Sequence, residues 1–147
     1  MLARVTSVAE LFDELCLRWA READVVFQQT GALPPTLVVL PRDAAADEVA
    51  IRLDGLRGNL AERSAAILDD LRPAVAPYDA AGLVFLTEVK DGAAVYVTLG
   101  GEPLRRAIGL RVVPGEPTSL ARADEDPDVS NFSWLDALLT PRPAPEL

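Results

Sequence analysis

The run GLVFLTEVK-DG-AAVYVTL, Gly82–Leu99, decides the fold. Two β-rich segments flank Asp91-Gly92, and Asp-Gly between such runs signals a tight hairpin, because both central residues of that turn need positive φ. A two-residue turn at Asp91-Gly92 predicts that Lys90 pairs with Ala93. Glu88 then faces Val95, Leu86 faces Val97 and Val84 faces Leu99. Thr87–Tyr96 and Phe85–Thr98 fall on the other side. Both sides of this ribbon are apolar, so both need cover.

Working outward, Thr36–Leu40 is a short apolar strand closed by Pro41. Val49, Ile51 and Leu53 alternate with Ala50, Arg52 and Asp54, a period of two that predicts a half-buried strand over 48–54. These two strands form a hairpin with a long loop. Downstream, a strand runs over 105–113 with Ile108, Leu110 and Val112 on one face, and Pro114-Gly115 stops it. Helical spacing covers residues 6–24. There Ser7 and Glu10 make a capping box, and Val8, Leu11, Phe12, Leu15, Cys16 and Trp19 form one stripe. A second helix starts at the Asn59 cap with Glu62 as its partner, buries Leu60, Ile67, Leu68 and Leu71, and ends at Pro73 and Pro77. A short third helix, capped by Ser130 or Asn131, runs to about residue 139.

The expected architecture is α+β, in the order α-β-β-α-β-β-β-α. It has a five-stranded antiparallel sheet, two amphipathic helices on one face and a short C-terminal helix. Residues 1–115 make the core domain. Residues 116–140 are an acidic loop plus an amphipathic helix that packs on the core or on a partner, and 141–147 are a proline-rich disordered tail. The element order over residues 6–113 resembles the roadblock-type and longin-type modules. That resemblance implies a small regulatory or scaffolding domain that dimerises. It transfers no functional residue.

The chain has 147 residues, half of them apolar and a quarter charged, with a net charge of −9. Fourteen basic against 23 acidic side chains argue against nucleic acid or an anionic membrane as partner. No apolar run reaches the roughly 18 residues of a membrane helix. Glu10, Asp13 and Glu14 stand where a secretion signal would be apolar. There is no histidine, which removes the commonest general base, zinc ligand and nucleophile activator. Cys16 is the single cysteine, so no intrachain disulfide forms, and a lone thiol fits a reducing, cytoplasmic compartment. Thirteen arginines to one lysine, with abundant Ala, Leu and Pro, read as the codon bias of a GC-rich bacterial genome. No P-loop or dinucleotide fingerprint occurs, and no cofactor is implied.

Four features are candidate sites. Glu88 shares a side with Val84, Leu86, Val95 and Val97, and a carboxylate on an apolar face has the environment of a general acid or base unless a cation pairs with it. It is the one candidate for a catalytic group or a small-ligand site; the plain alternative is a residue at the fraying end of the hairpin. Asp124, Asp126 and Asp128 have the alternate spacing of a calcium loop. Val129 and Leu135 stand where that loop needs Gly and Glu, so a solvated acidic loop is the default. Gly100-Gly101 followed by Arg105 and Arg106 has the ingredients of an anion cradle, although Gly-Gly between strands is first of all a turn. Finally, Phe132, Trp134, Leu135, Leu138 and Leu139 form one arc after an acidic stretch, the pattern of a segment that docks in a groove. It docks on its own sheet, on a second copy or on another protein. With Phe85 and Tyr96 on the uncovered side of the hairpin, these are the candidate interaction residues. The expected function is a non-catalytic protein–protein interaction or regulatory module, homodimeric, with ligand binding or catalysis at Glu88 as the alternative.

Overall fold

Helix α1 spans Val8–Thr30 in the computed structural model, which describes residues 7–43, 45–53, 62–101 and 104–141. The expected Asn59 cap, Leu60 and the tail beyond residue 141 lie outside those residues. Ser7 caps α1 by accepting the Glu10 N–H at 3.1 Å. The helix runs past its expected end because Ala23 and Phe27 continue the buried stripe of Phe12, Cys16 and Trp19. Gly31 then closes it with φ 74° and an N–H bonded to the Phe27 carbonyl at 2.7 Å. Val8 and Leu11, expected in the stripe, lie on its flank and are exposed.

Six strands follow: β1 (Thr36–Pro41), β2 (Val49–Arg52), β3 (Ala80–Val89), β4 (Gly92–Leu99), β5 (Arg105–Val113) and β6 (Ser119–Arg122). They form one antiparallel sheet in the order β2-β1-β3-β4-β5-β6. The α+β class holds, with a sixth strand where an acidic loop was expected. In β6 only Leu120 is buried, and one inward residue gives no alternation to read. The strand is held by pairing with β5, Val112 opposite Leu120, and by Asp24 of α1, which accepts the Leu120 N–H at 2.8 Å.

The hairpin turn is Lys90-Asp91, with Asp91 at φ 65°, one residue earlier than expected. Val89 pairs with Gly92, Leu86 with Val95, Phe85 with Tyr96 and Val84 with Val97. Gly92 is taken into the strand because a Cβ there would overlap the Leu110 carbonyl of β5. The expected pairing is therefore displaced by two residues. A displacement of two preserves parity, so each side chain keeps its face.

Val84, Leu86, Val95 and Val97 pack with Ile108, Leu110 and Leu120 beneath α1. On the opposite face, Leu37, Val39, Leu83, Phe85 and Tyr96 pack beneath helix α2 (Ser64–Val75) and a 3-10 helix, Ser133–Leu138. The two long helices thus take opposite faces instead of sharing one. The cause lies in β3, where every residue from Gly82 to Thr87 is buried; a strand buried on both sides needs a layer on both sides. Pro73 lies inside α2 rather than ending it. It is exposed, and buried Val75 holds the last turn.

The C-terminal segment coils as a 3-10 helix, not an α-helix. Thr140 fastens it to the start of β3. Its N–H donates to the Ala80 carbonyl at 2.9 Å, its hydroxyl accepts the Ala80 N–H at 3.0 Å, and Arg42 donates to its carbonyl at 3.0 Å. No helix among the described residues is long and apolar enough to cross a membrane.

Candidate functional site

Glu88 sits where β3 leaves the cover of the helices: Thr87 is buried and Glu88 is exposed. Its carboxylate accepts the Leu33 N–H at 2.6 Å, which ties the α1–β1 linker to the sheet. The environment is not the desolvated one expected of a general acid or base. A small open cavity of about 220 Å³ adjoins it, lined by Ala32, Pro35 and Thr87 among others. The Thr87 hydroxyl is spent on the Glu88 carbonyl at 3.3 Å. Among the described residues, no second carboxylate lines that cavity.

The candidate interaction residues are drawn together, within this chain. Phe132, Leu135 and Leu138 are buried with Phe85 and Tyr96 in one cluster, and Trp134 and Leu139 pack at its edge. Phe132 stacks on Tyr96 at 5.8 Å between ring centroids, with Phe85 at 6.3 Å. Five of the seven residues are unavailable to a partner while this packing holds. The side of the hairpin that called for cover receives it within this chain from the apolar C-terminal segment.

Sequence reading missed the polar centre of this layer. Asp136 Oδ1 accepts from the Tyr96 hydroxyl at 2.7 Å, and Oδ2 accepts from Arg105 at 3.0 Å. Burial, and then the Asp136 carboxylate, hold the Tyr96 phenol well above its ordinary range. The trio is a neutral donor and a cation closed onto one carboxylate, which makes it a staple for the C-terminal segment. Asp136 stands one turn after Phe132, off the apolar arc, and its position alone singles it out for no role.

The other candidates disperse. Asp126 accepts the Gly109 N–H at 2.9 Å and pairs with Arg122 at 3.0 Å. Asp128 caps the short 3-10 turn Val129–Asn131, and the Ser130 amide and hydroxyl hold its carboxyl below the usual range. Asp124 is exposed. Among the described residues, no group of three or more metal-ligating side chains converges. Arg105 and Arg106 occupy successive strand positions and so point to opposite faces. Arg105 meets Asp136, and Arg106 meets Asp13 at 2.7 Å. Their two carboxylate partners take them apart, and in the Gly100-Gly101 turn Thr98 accepts the Gly101 N–H at 3.0 Å.

What sequence reading did not suggest is a groove beside α1. Six strands span about 24 Å and a helix covers about 10 Å. α1 runs against β4, β5 and β6, so among the described residues it leaves the sheet open over β1 and β2 on its face. The opening is about 410 Å³. Its floor is Leu33, Val38 and Leu86, all buried. Its walls are Trp19 and Val26 of α1 and Ala50 of β2. Arg18 donates to both carboxylate oxygens of Glu48, at 2.9 and 2.8 Å, and its guanidinium lies 4.9 Å over the Trp19 ring. Trp19 is 8% exposed, and among the described residues its Nε1–H is the one buried side-chain polar atom without a partner. Such a donor costs about 1–3 kcal/mol.

No family model matches this chain, no curated protein does and no solved structure does. The resemblance to roadblock-type and longin-type modules rests on element order alone.

Proposed function

We propose that the chain is a non-catalytic association module that pairs with a second copy of itself through the outer edge of β2. The observation that carries this reading is the edge itself. Among the described residues, β2 ends the sheet and pairs on one side only, with β1. The sequence Glu48-Val49-Ala50-Ile51-Arg52 is also self-complementary. An antiparallel pair with its two-fold axis at Ala50 sets Val49 against Ile51 of the second copy and Glu48 against its Arg52. Apolar pairs then share one face, each favourable by about 0.2–1 kcal/mol, and on the other face Arg52 meets a Glu48 that Arg18 already holds. The opposite edge is less open, because Asp24 already takes the Leu120 N–H of β6.

Glu88 as an acid or base has less behind it, since its carboxylate is exposed and engaged by Leu33. Sedimentation equilibrium on the full chain tests the proposal. Ala50 is exposed, so Ala50→Arg leaves the core alone while placing like charges together at the axis. A dimer that weakens at least tenfold in that variant supports the reading. A monomer at all accessible concentrations, or a dimer indifferent to Ala50→Arg, overturns it.

A further inference from the structure

We infer that Arg18 is a switch on the β2 edge: on association it passes from Glu48 to Glu22 of its own helix, and so frees Glu48 for Arg52 of the second copy. The switch rests on the pairing proposed above and adds to it a rearrangement within each chain.

The pairing brings these charges to one side. A two-fold axis between antiparallel neighbours stands normal to the sheet, so both copies present α1 on the same face. Glu48, Ala50 and Arg52 line the opening beside α1, while Val49 and Ile51 pack on the opposite face. Side chains directly opposite each other in such a pair start about 4.5–5.5 Å apart at Cβ, within reach of a contact between glutamate and arginine. In the single chain Glu48 is already taken. Arg18 Nη1 donates to its Oε1 at 2.9 Å and Nη2 to its Oε2 at 2.8 Å. That fork engages both carboxylate oxygens, and a second guanidinium brought to them meets the charge of the first.

Arg18 has another carboxylate to move to. Glu22 stands four residues on, the spacing that makes neighbours on a helix, and it lines the same opening as Glu48. The Glu48 hydrogen bonds raise the Arg18 pKa most, and the Glu22 charge raises it further. The side chains of Arg18 and Glu48 are 50% and 34% exposed, and a pair so wetted holds weakly and exchanges partners without disturbing the core. After the exchange, Arg18, Glu22, Glu48 and the second copy's Arg52 sort into two opposite pairs.

Dimer dissociation constants from sedimentation equilibrium on the full chain test the switch. Arg18→Gln releases Glu48 in advance and should tighten the dimer about threefold. Glu22→Gln removes the place Arg18 moves to and should weaken the dimer about threefold, because two such pairs form per dimer. Both directions run against net charge. The chain carries −9; Arg18→Gln makes it more acidic and Glu22→Gln less, so repulsion between copies would give the opposite signs. Without Arg18, Glu22 has nothing to receive, so adding Glu22→Gln to Arg18→Gln should change the affinity by less than about 1.5-fold. Arg18 and Glu22 are exposed, so neither change touches the core. An Arg18→Gln dimer that is weaker or unchanged, a Glu22→Gln dimer that is tighter or unchanged, or independent effects in the double variant would overturn the switch. If Ala50→Arg still breaks the dimer in that case, the edge pairing stands and the switch alone falls. A wild-type chain that never dimerises removes both.

Discussion

Replacing Asp136 with alanine removes the acceptor that locks the C-terminal segment onto the sheet. Tyr96 is fully buried, so its hydroxyl loses a charged partner at 2.7 Å where water does not replace it. That loss is about 1–3 kcal/mol. Arg105 keeps 25% of its side chain exposed, so its lost pair is partly screened and adds about 1 kcal/mol. Asp136→Ala should therefore cost about 2–4 kcal/mol, a large share of the roughly 5–15 kcal/mol that holds a domain together. Urea denaturation followed by circular dichroism measures it as a lower midpoint. Tyr96→Phe removes the donor of the same bond and should cost about 1–2 kcal/mol. Because the two changes delete one shared interaction, the double variant should cost less than their sum by about 1 kcal/mol or more. A loss below about 1 kcal/mol for Asp136→Ala, or additivity within about 0.5 kcal/mol, refutes the staple.

Three further outcomes follow from the packing. Glu88→Ala should lose about 1 kcal/mol in the same assay because Leu33 N–H loses its acceptor, while Glu88→Gln, which keeps an acceptor oxygen, should lose less; a stabilised Glu88→Gln would mean the carboxylate is desolvated after all. Gly92→Ala should lower the thermal midpoint by several degrees, since the new methyl overlaps the Leu110 carbonyl of the next strand; calorimetry showing no change would move the turn back to Asp91-Gly92. Alkaline pH should weaken the fold in two overlapping stages. Burial, only partly offset by Arg106, pushes the Cys16 thiol from 9.0 up to about 11, and the Tyr96 phenol is raised from 10.0. A group whose folded pKa is raised contributes fully below its unfolded value and loses that contribution as pH climbs toward the folded one. Stability should thus fall from pH 9 through 11 for Cys16, by on the order of 2 kcal/mol, and above pH 10 for Tyr96. Cys16→Ala should flatten the first stage in urea titrations between pH 8 and 11, and an unchanged slope would contradict the assignment.

The elements that were legible are those whose signal is local. Ser7 with Glu10, the alternation of Val49 and Ile51 with Ala50 and Arg52, and the paired apolar runs around Asp91 each reflect bonds within a few residues. What was not legible depended on distant partners. The true turn was hidden because Gly92 is needed by β5, a strand that lies more than ten residues on. β6 was hidden because pairing with β5 and a hydrogen bond donated to Asp24, not its own pattern, make it a strand. Asp136 drew no reading because neither Tyr96 nor Arg105 is near it in the sequence. The candidate sites fared in the same way. Glu88 was placed on the correct face by parity, but its partner Leu33 lies in a linker that carries no periodicity.

The choice of layers explains why the groove went unseen. Helices on one face or on both are equally consistent with two amphipathic helices and a sheet that is apolar on both sides; side-chain bulk decides between them. The Phe85–Tyr96 face presents two aromatic rings, and Phe132 stacks on Tyr96 and meets Phe85 at a tilt. That face draws α2 and the C-terminal segment together. The other face, built from Val84, Leu86, Val95 and Val97, is left with α1 alone. One helix cannot span six strands, so among the described residues a gap is left over β1 and β2 on the α1 face. The same segment that was expected to reach for a partner instead settles on its own sheet, and in doing so leaves the Trp19 groove open on the far side.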